Sequence, residues 1–218
     1  MRITTWEKFG YSSMIKNIVF DMGNVLLRFD TDLFLDRVGV SGEDRALLKR
    51  EIYQSLEWAR MDRGSLTDEE ATKLMCRRLP QRLHETADLL VAHWDRPIIE
   101  IPGMYELVEE LKSMGYGLFL LSNASYRQHE YWPRVPVSRF FDGTLISADV
   151  KLVKPQPEIY HLFFRTYGLK AEECFFIDDA TNNIEGAFYV GMPGAVFHGD
   201  ALEMRYKLNE AGVPVSVK

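Results

Sequence analysis

Two groups of acidic residues have the types and spacing that a nucleophile or a metal site would need. Asp21 follows the apolar run IKNIVF and precedes a turn containing Gly23, where the backbone can approach a ligand closely. Asp178 and Asp179 are adjacent and follow a second apolar run, CFFI. Neighbouring carboxylates repel each other unless a cation offsets their charge, and hard oxygen ligands suit Mg²⁺. Together these residues indicate a magnesium site, although each group alone could be a turn cap or a solvated acidic loop.

Further polar residues are suited to holding an anion. Ser122 and Asn123 follow the apolar run YGLFLL, where a hydroxyl and the N–H groups of a helix start could bind phosphate oxygens. Taken alone, the dipeptide fits an ordinary helix N-cap better than a phosphate site. Lys154 precedes a proline in KLVKPQPE and could neutralise an anion, although most lysines are simply exposed. Only the ordered set of these residues favours a phosphate site.

Short apolar runs alternate with amphipathic segments over most of the chain. Strands are predicted at 15–20, 116–121, 144–147, 174–177 and 194–197, and helices at 104–114, 125–132, 157–167 and 182–190. This alternation predicts an α/β fold with a doubly wound, Rossmann-like parallel sheet. Such sheets bind ligands beyond the carboxyl ends of their strands, so the polar residues named above would share one crevice.

The segment from 31 to 99 differs, because it has helical patterns and no convincing strand. Helices are predicted at 33–38, 44–58, 68–79 and 83–94, and Thr67 with Glu70 forms a capping-box pattern. We therefore expect a helical cap over 31–99, inserted into a core formed by 14–30 and 100–218. Residues 1–13 are expected to be an N-terminal extension that need not be ordered.

Composition excludes several classes of partner. The formal net charge is −6 and the basic residues are scattered, so binding to nucleic acid is not expected. The longest apolar runs are far shorter than the ~20 residues of a membrane span. Cys76 and Cys174 lack metal-ligand spacing, which favours a reducing compartment, and we expect the cytoplasm. The sequence leaves the oligomeric state open.

The segments FDMGNVL, LSN, KP and FFIDDATNNIEGA, in this order, resemble the four motifs of the haloacid-dehalogenase-like hydrolase superfamily. The resemblance covers 15–198, and the inserted helical segment is similar to the type-1 cap of that superfamily. The form of the motifs is most similar to bacterial sugar-phosphate phosphatases, such as those acting on α-D-glucose 1-phosphate. The resemblance implies a Mg²⁺-dependent phosphoric monoester hydrolase whose partner is a small phosphorylated metabolite, with a sugar phosphate favoured.

The resemblance also implies roles for residues around the metal. Asp21 would be the nucleophile and a metal ligand, and Gly23 would offer its carbonyl oxygen to Mg²⁺. Asp179 matches the side-chain metal ligand, with Asp178 beside it as a second ligand or an orienting group. Asn183, four residues after Asp179, would support the metal shell through water or hydrogen bonds.

Other positions would contact the substrate. The resemblance implies that Ser122, Asn123 and Lys154 bind the transferring phosphoryl group, with Lys154 also neutralising Asp21. In the cap, a cluster of residues before Gly64 could face the site, with a tryptophan ring against a sugar and an arginine binding its hydroxyls or phosphate. The alternative is a helix-to-helix turn with a packed tryptophan. The cluster comprises Trp58, Arg60, Asp62 and Arg63, of which Trp58 and Arg63 are the predicted substrate contacts.

One departure from the superfamily pattern concerns the proton-transfer group. Phosphatases of this type usually carry a second Asp two residues after the nucleophile, and here that position is Gly23. Loss of a positioned acid or base typically lowers rates by ~10²- to 10⁴-fold, so a replacement group, a good leaving group or slow turnover is implied. Two alternatives stay open: a metal-independent 2-haloacid dehalogenase using Asp21, and a catalytically weakened binding or regulatory protein.

Overall fold

The computed structural model describes residues 14–217, so the predicted N-terminal extension, 1–13, lies outside the described residues. A five-stranded parallel sheet in the order β3-β2-β1-β4-β5 forms the centre of the core. The predicted parallel α/β fold is confirmed. Its strands are β1 (Asn17–Phe20), β2 (Gly117–Ser122), β3 (Gly143–Ile146), β4 (Cys174–Asp178) and β5 (Gly194–Val196).

Helices precede and follow the strands throughout the described part of the chain. They are α1 (Thr31–Arg37), α2 (Gly42–Leu48), α3 (Leu56–Asp62), α4 (Asp68–Cys76), α5 (His84–Ala92), α6 (Met104–Ser113), α7 (Gln128–Tyr131), α8 (Ser147–Val150), α9 (Pro157–Tyr167), α10 (Thr181–Tyr189) and α11 (Ala201–Glu210). A π-helical segment spans Lys49–Tyr53, and short 3₁₀ helices span Gln81–Leu83, Trp132–Arg134, Pro136–Phe140 and Ala171–Glu173.

Helices cover both faces of the sheet. Alternate residues of each strand point to opposite faces, so each strand contributes side chains to two hydrophobic clusters. In β1, Ile18 and Phe20 pack with α6 and α11 in one hydrophobic cluster, whereas Val19 packs with α9 and α10 in another. All three side chains are fully buried. Burial on both faces explains why β1 reads as a continuous apolar run rather than an alternating one.

Helices α1 to α5, which we call the cap, enclose a hydrophobic cluster of their own. Leu35, Leu48, Ile52 and Met75 are fully buried at its centre. The predicted capping box is present at the start of α4, where the Thr67 side chain accepts from the Glu70 N–H and the Glu70 carboxylate accepts from the Thr67 N–H. The cap therefore packs as a unit of helices outside the sheet.

Two predicted helices differ from the structure, and one helix of the structure has no predicted counterpart. The expected helix at 44–58 is divided by the π-helical segment and by Ser55, whose hydroxyl caps α3 by accepting from the Trp58 N–H. The expected helix at 125–132 is reduced to the four residues of α7. Helix α11 was not predicted, although Asp200 caps it by accepting from two backbone N–H groups, a recognisable start signal.

The structure also bears on the expectation of no membrane span. Among residues 14–217, every helix is too short or too polar to cross a bilayer.

Candidate active site

Three neighbouring strands deliver polar residues to the same edge of the sheet. Asp21 directly follows β1, Ser122 ends β2 and Asp178 ends β4. Strand β1 lies between the other two, with Phe20 in register with Leu120 on one side and with Ile177 on the other. Because all three strands are parallel, these polar side chains converge beyond their carboxyl ends.

Lys154 connects two of the carboxylates. Its Nζ donates to Asp21 Oδ1 and to Asp178 Oδ2, each at 2.7 Å, and its side chain is 1% exposed. The backbone of Lys154 is held by the side chain of Asn123: the Lys154 N–H donates to Asn123 Oδ1 at 2.8 Å, and Asn123 Nδ2 donates to the Lys154 carbonyl at 3.0 Å. The amide of Asn123 is therefore engaged in fixing the lysine.

Asp178 is buried, and both of its carboxylate oxygens accept hydrogen bonds. Oδ1 accepts from the Ala180 N–H at 2.8 Å and from Asn183 Nδ2 at 3.0 Å. Oδ2 accepts from Asn183 Nδ2 at 3.1 Å as well as from Lys154. With this set of donors, the geometry suits Asp178 to orienting Lys154 more than to binding a ligand of its own.

Asp179 has the opposite environment, because it is exposed and accepts one side-chain hydrogen bond. Asn24 Nδ2 donates to Asp179 Oδ2 at 3.1 Å, and Asn24 Oδ1 accepts from the Phe29 N–H at 3.0 Å. Asn24 has a left-handed backbone with φ of 53°, which asparagine tolerates better than most residues. Asn24 is absent from the predicted site; its place in the turn after the strand that ends before Asp21 is the signal that could have indicated it.

The electrostatics of the cluster suit a cation. Oxygens of Asp21, Asp178 and Asp179 lie within 4.8 Å of one another, and one ammonium group, that of Lys154, faces them. Burial raises the pKa of the Asp21 carboxyl, Lys154 opposes the rise, and the charge of Asp178 adds to it. Partial desolvation of its carboxyl within the cluster, with the charge of Asp178, also raises the pKa of Asp179, while the Asn24 hydrogen bond opposes this rise.

Two observations indicate where a divalent ion fits. Among the described residues, no side-chain donor lies within hydrogen-bond distance of Asp21 Oδ2, and the one side-chain donor to Asp179, Asn24, contacts Oδ2 and leaves Oδ1 without a side-chain donor. Hard carboxylate oxygens left free beside excess negative charge are the donor set that Mg²⁺ requires. The residues present therefore fit the expected ion.

These residues open onto a cavity of about 230 Å³ between the core and the cap. The volume lies at the small end of ligand sites, which indicates a small metabolite. From the core it is lined by Asp21, Met22, Gly23, Asn24, Phe29, Asn123, Ala124, Ser125, Tyr131, Lys154, Asp179 and Asn183, and from the cap side by Trp58, Met61, Asp62, Asp68, Val91 and Trp94.

Two predicted residues lie differently from the expectation. Ser122 is buried and is absent from the cavity wall, and the next helix begins at Gln128 rather than directly after it. Arg63 is exposed at the boundary of cap and core, where Nη2 donates to Gln156 Oε1 at 3.3 Å, and it does not line the cavity. Asp178 is buried and does not line the cavity, and its contact with Lys154 fits the orienting role, one of the two that the resemblance implies for it.

Aromatic side chains form much of the cavity wall that faces the acidic residues. Trp58 lines the cavity and also packs on Phe29, with ring centroids 5.7 Å apart. Trp94 packs on Phe29 and on Tyr131, each at 5.0 Å. We had not predicted Phe29, Trp94 or Tyr131 in the site, because aromatic residues at helical spacing cannot be distinguished from packing residues in a sequence.

Comparisons with known proteins agree with this geometry. Residues 15–191 match the haloacid dehalogenase-like hydrolase family. The (S)-2-haloacid dehalogenase 4A of Burkholderia cepacia is 28% identical over 183 residues, which cover 79% of this chain and 78% of that protein. The D-ribitol-5-phosphate phosphatase of Bacteroides thetaiotaomicron is 26% identical over 184 residues, which cover 78% of this chain and 86% of that protein.

A solved structure has the same fold. It is a haloacid dehalogenase family enzyme from Bacteroides thetaiotaomicron in complex with magnesium and inorganic phosphate, with a TM-score of 0.61, 21% identity, and coverage of 84% of this chain and 93% of that one. The family match extends over most of the chain, and residues from all four motifs line one cavity. The chain belongs to the haloacid dehalogenase-like hydrolase family.

Proposed function

We propose that the chain is a Mg²⁺-dependent phosphatase that hydrolyses a small phosphomonoester, with a sugar phosphate as the favoured class, through an aspartyl-phosphate on Asp21. One observation carries the proposal: oxygens of three carboxylates lie within 4.8 Å of one another, two of these carboxylates are paired with the buried Lys154, and Asp21, Asp179 and Lys154 line the same cavity. Phosphoryl transfer mainly requires in-line positioning and stabilisation of charge, and this cluster is suited to both.

Asp21 supplies the nucleophile. Its Oδ1 is held by Lys154 at 2.7 Å, which fixes the carboxylate and leaves Oδ2 as the oxygen free to attack phosphorus. A methyl group built on Gly23 would lie 3.9 Å from Oδ2, so the turn leaves open space on that side. The attack forms a bond from Asp21 to phosphorus and releases the alcohol, and water then hydrolyses the acyl phosphate.

Mg²⁺ would be held by the Asp21 and Asp179 carboxylates and by the carbonyl oxygen of Gly23. When bound, it supplies positive charge against the phosphoryl oxygens. Asn24 orients Asp179 through the 3.1 Å hydrogen bond, and Asn183 supports the site through Asp178. Lys154 neutralises Asp21 and one phosphoryl oxygen, while Asp178 keeps the lysine in place.

Ser122 and Asn123 remain the proposed phosphate-binding pair. The side-chain amide of Asn123 is engaged with the backbone of Lys154, so we assign phosphate binding to its main chain. Trp58 and its aromatic neighbours offer flat apolar faces of the kind that sugar rings pack on, which supports a sugar phosphate as the substrate class.

Dehalogenation of a 2-haloacid is the second candidate, because a relative of 28% identity is named for that activity. The reaction would also use Asp21 as nucleophile, but it needs no metal. The acidic pair Asp178 and Asp179, with the free oxygens at Asp179 and Asp21, has no evident purpose in a metal-independent reaction. The pair therefore favours phosphatase chemistry.

Product measurements with and without Mg²⁺ separate the candidates. We expect phosphate release from p-nitrophenyl phosphate and from members of a sugar-phosphate panel, with loss of activity on chelation and recovery with added Mg²⁺. Halide release from 2-chloropropionate that is indifferent to chelator would favour the dehalogenase. Binding of phosphate esters without turnover in either assay would instead indicate a binding protein.

A further inference from the structure

Two carboxylates reach the cavity from the cap, and they differ in their contacts. Asp68 accepts a hydrogen bond from Ser125 Oγ at 3.4 Å and has Arg127 Nε at 3.6 Å. Within residues 14–217, by contrast, the Asp62 carboxylate makes no hydrogen bond or ion pair, although its residue lines the cavity with Asp21. A polar group without a partner, facing a cavity, is one that substrate or water would satisfy on binding.

The backbone of Asp62 is held against the core by a shared hydroxyl. Ser147 Oγ donates to the carbonyl oxygen of Asp62 and accepts from the Ala124 N–H at 2.9 Å. Ser147 is fully buried, and Ala124 follows directly on Asn123, which holds Lys154. One chain of hydrogen bonds therefore positions Lys154 on one side of the cavity and Asp62 on the other.

The next turn brings the cap into direct contact with the core. Gly64 has a left-handed φ of +72°, and a methyl group built on it would lie 2.2 Å from the carbonyl oxygen of Ala148. The Tyr126 hydroxyl donates to the Gly64 carbonyl at 3.4 Å. Only glycine permits this approach, and it fixes the end of α3, where Asp62 stands, relative to the catalytic loops.

We propose that Asp62 is the general acid and base of the reaction, filling from the cap the role that Gly23 leaves empty in the core. The inference rests on the proposed phosphatase function. In-line attack by Asp21 places the leaving oxygen on the far side of phosphorus, toward the cap, and Asp62 is the cap carboxyl that has no partner there.

The protons balance over the two steps of the proposed reaction. In the first, Asp21 Oδ2 bonds to phosphorus, the bond from phosphorus to the ester oxygen breaks, and that oxygen takes the proton of the Asp62 carboxylic acid and leaves as an alcohol. In the second, a water oxygen bonds to phosphorus and gives a proton to the Asp62 carboxylate. The bond from Asp21 to phosphorus breaks, releasing phosphate and restoring both residues.

The surroundings of Asp62 suit the acid form at neutral pH. Burial raises its pKa to about 8, with contributions from the charges of Asp68 and Asp21. Tyr131, another ionisable group of the cavity, is not a candidate base. Burial, with the charge of Asp62, raises the pKa of the Tyr131 hydroxyl well above its ordinary value.

The test uses Asp62→Asn with two phosphate esters that differ in leaving group. On an alkyl ester such as glycerol 1-phosphate, we expect kcat to fall by about 10²-fold or more without a burst, because the alkoxide cannot leave unprotonated. On p-nitrophenyl phosphate, whose anion leaves without a proton, we expect a stoichiometric burst of nitrophenolate and then slow turnover, with hydroxylamine-sensitive phosphate trapped on the protein.

Two companion variants and a melting measurement make the result specific. Asp88→Asn removes an exposed carboxylate of α5 outside the cavity and should behave as wild type. Asp62→Glu retains a carboxylic acid and should recover more alkyl-ester activity than Asp62→Asn. Equal melting temperatures for the Asp62 variants and wild type at pH 6 would show that the losses are chemical and do not reflect unfolding.

Several results would overturn the assignment. If Asp62→Asn raised only KM for the alkyl ester, with kcat kept and no burst, Asp62 would be a hydroxyl contact. If Asp68→Asn gave the leaving-group pattern while Asp62→Asn did not, the acid would be Asp68. A wild-type protein inactive on both esters with Mg²⁺ would overturn the phosphatase proposal and this inference together, whereas an active wild type with an unimpaired Asp62→Asn overturns this inference alone.

Discussion

The core side and the cap side of the cavity are built on different principles. On the core side, Lys154 and Asp178 are buried and their charged atoms are held by short hydrogen bonds among themselves and with Asn183. On the cap side, Trp58 and Trp94 present aromatic rings, and Asp62 presents a carboxylate without a partner. Under the proposed function, the fixed charges of the core would act on the phosphoryl group that all phosphate esters share, and the aromatic rings of the cap side would face the part that differs between esters.

The difference follows from the elements that carry each side. Strand ends in a parallel sheet are fixed by hydrogen bonds to both neighbours, so charges placed there keep their geometry. Helix α3 is a short element whose end is located by Ser147 and by the contact of Gly64 with Ala148. The comparison predicts that core variants abolish chemistry for all substrates, whereas cap variants act in a substrate-dependent way.

The largest effect is expected for Asp21→Asn, which removes the nucleophile from the core side. Turnover should fall by ~10³-fold or more on every phosphate ester, because the amide neither attacks phosphorus nor binds Mg²⁺ as a carboxylate does. The fold should persist, since the side chain keeps its size. Steady-state assays with thermal melting are the measurement, and retention of more than a tenth of wild-type turnover would contradict the assignment.

Lys154→Met tests whether the core charges depend on each other. It leaves the carboxylates of Asp21 and Asp178 buried without their cation, and breaking such a buried pair typically lowers the free energy of unfolding by ~3–5 kcal/mol. Urea unfolding at pH 8 with chelator measures the loss, and added Mg²⁺ should recover part of it by offsetting the same carboxylates. A loss under ~1 kcal/mol would mean that the network contributes little to stability.

Substitutions of Asp178 and Asp179 should have different effects, because the two carboxylates have different hydrogen-bond partners. Asp179→Asn should raise the Mg²⁺ concentration for half-maximal activity more than Asp178→Asn does, because Asp179 has a free oxygen whereas both oxygens of Asp178 accept from protein donors. Asp178→Asn should instead lower thermal stability. Magnesium titrations of both variants decide the matter: equal effects would mean that both acids hold the metal, and the reverse order would exchange their roles.

The pH dependence of the free energy of unfolding tests the cap carboxyl of Asp62 separately from the core. Burial, with the charges of Asp68 and Asp21, raises the folded-state pKa of Asp62 to about 8, above the ~3.9 of an unfolded chain. The protonated carboxyl therefore stabilises the fold below pH ~4, and this contribution is lost as pH rises through the folded-state pKa. Between pH 5 and 9, wild type should lose ~4 kcal/mol relative to Asp62→Asn in metal-free unfolding measurements, about 1.4 kcal/mol for each pH unit up to the folded-state pKa, and parallel curves would show that Asp62 is solvated.

The smallest effect is expected for Trp58→Leu. Removing an aromatic face from the cavity should raise KM for a sugar phosphate by about fivefold, equivalent to ~1 kcal/mol, and leave p-nitrophenyl phosphate less affected. Leu56→Ala, a change at an exposed position of the same helix, provides the control. Equal shifts for both substrates would indicate that Trp58 serves packing against Phe29 rather than selectivity.

The parts of the site that were predictable are those set by local pattern and strand direction. Asp21 and Asp178 follow apolar runs, and the rule that parallel strands open to one edge brings them together. Contacts between distant segments were not predictable. Ser147 meets Asp62 across 85 positions, and no local pattern marks either residue for the other. The direction of Arg63, which turns to Gln156, also depends on how the cap approaches the core.

The hydroxyl of Ser147 also bears on how firmly the end of α3 is held to the core. It donates to the Asp62 carbonyl oxygen and lies 3.3 Å from the Ala124 carbonyl oxygen, so a cap that moved away would leave the hydroxyl a second acceptor on the core side. Exchanging one acceptor for the other costs at most on the order of 1 kcal/mol, a roughly fivefold change in population. This hydrogen bond therefore holds the cap only weakly, and under the proposed function it would not prevent the cap from opening to release the alcohol and phosphate.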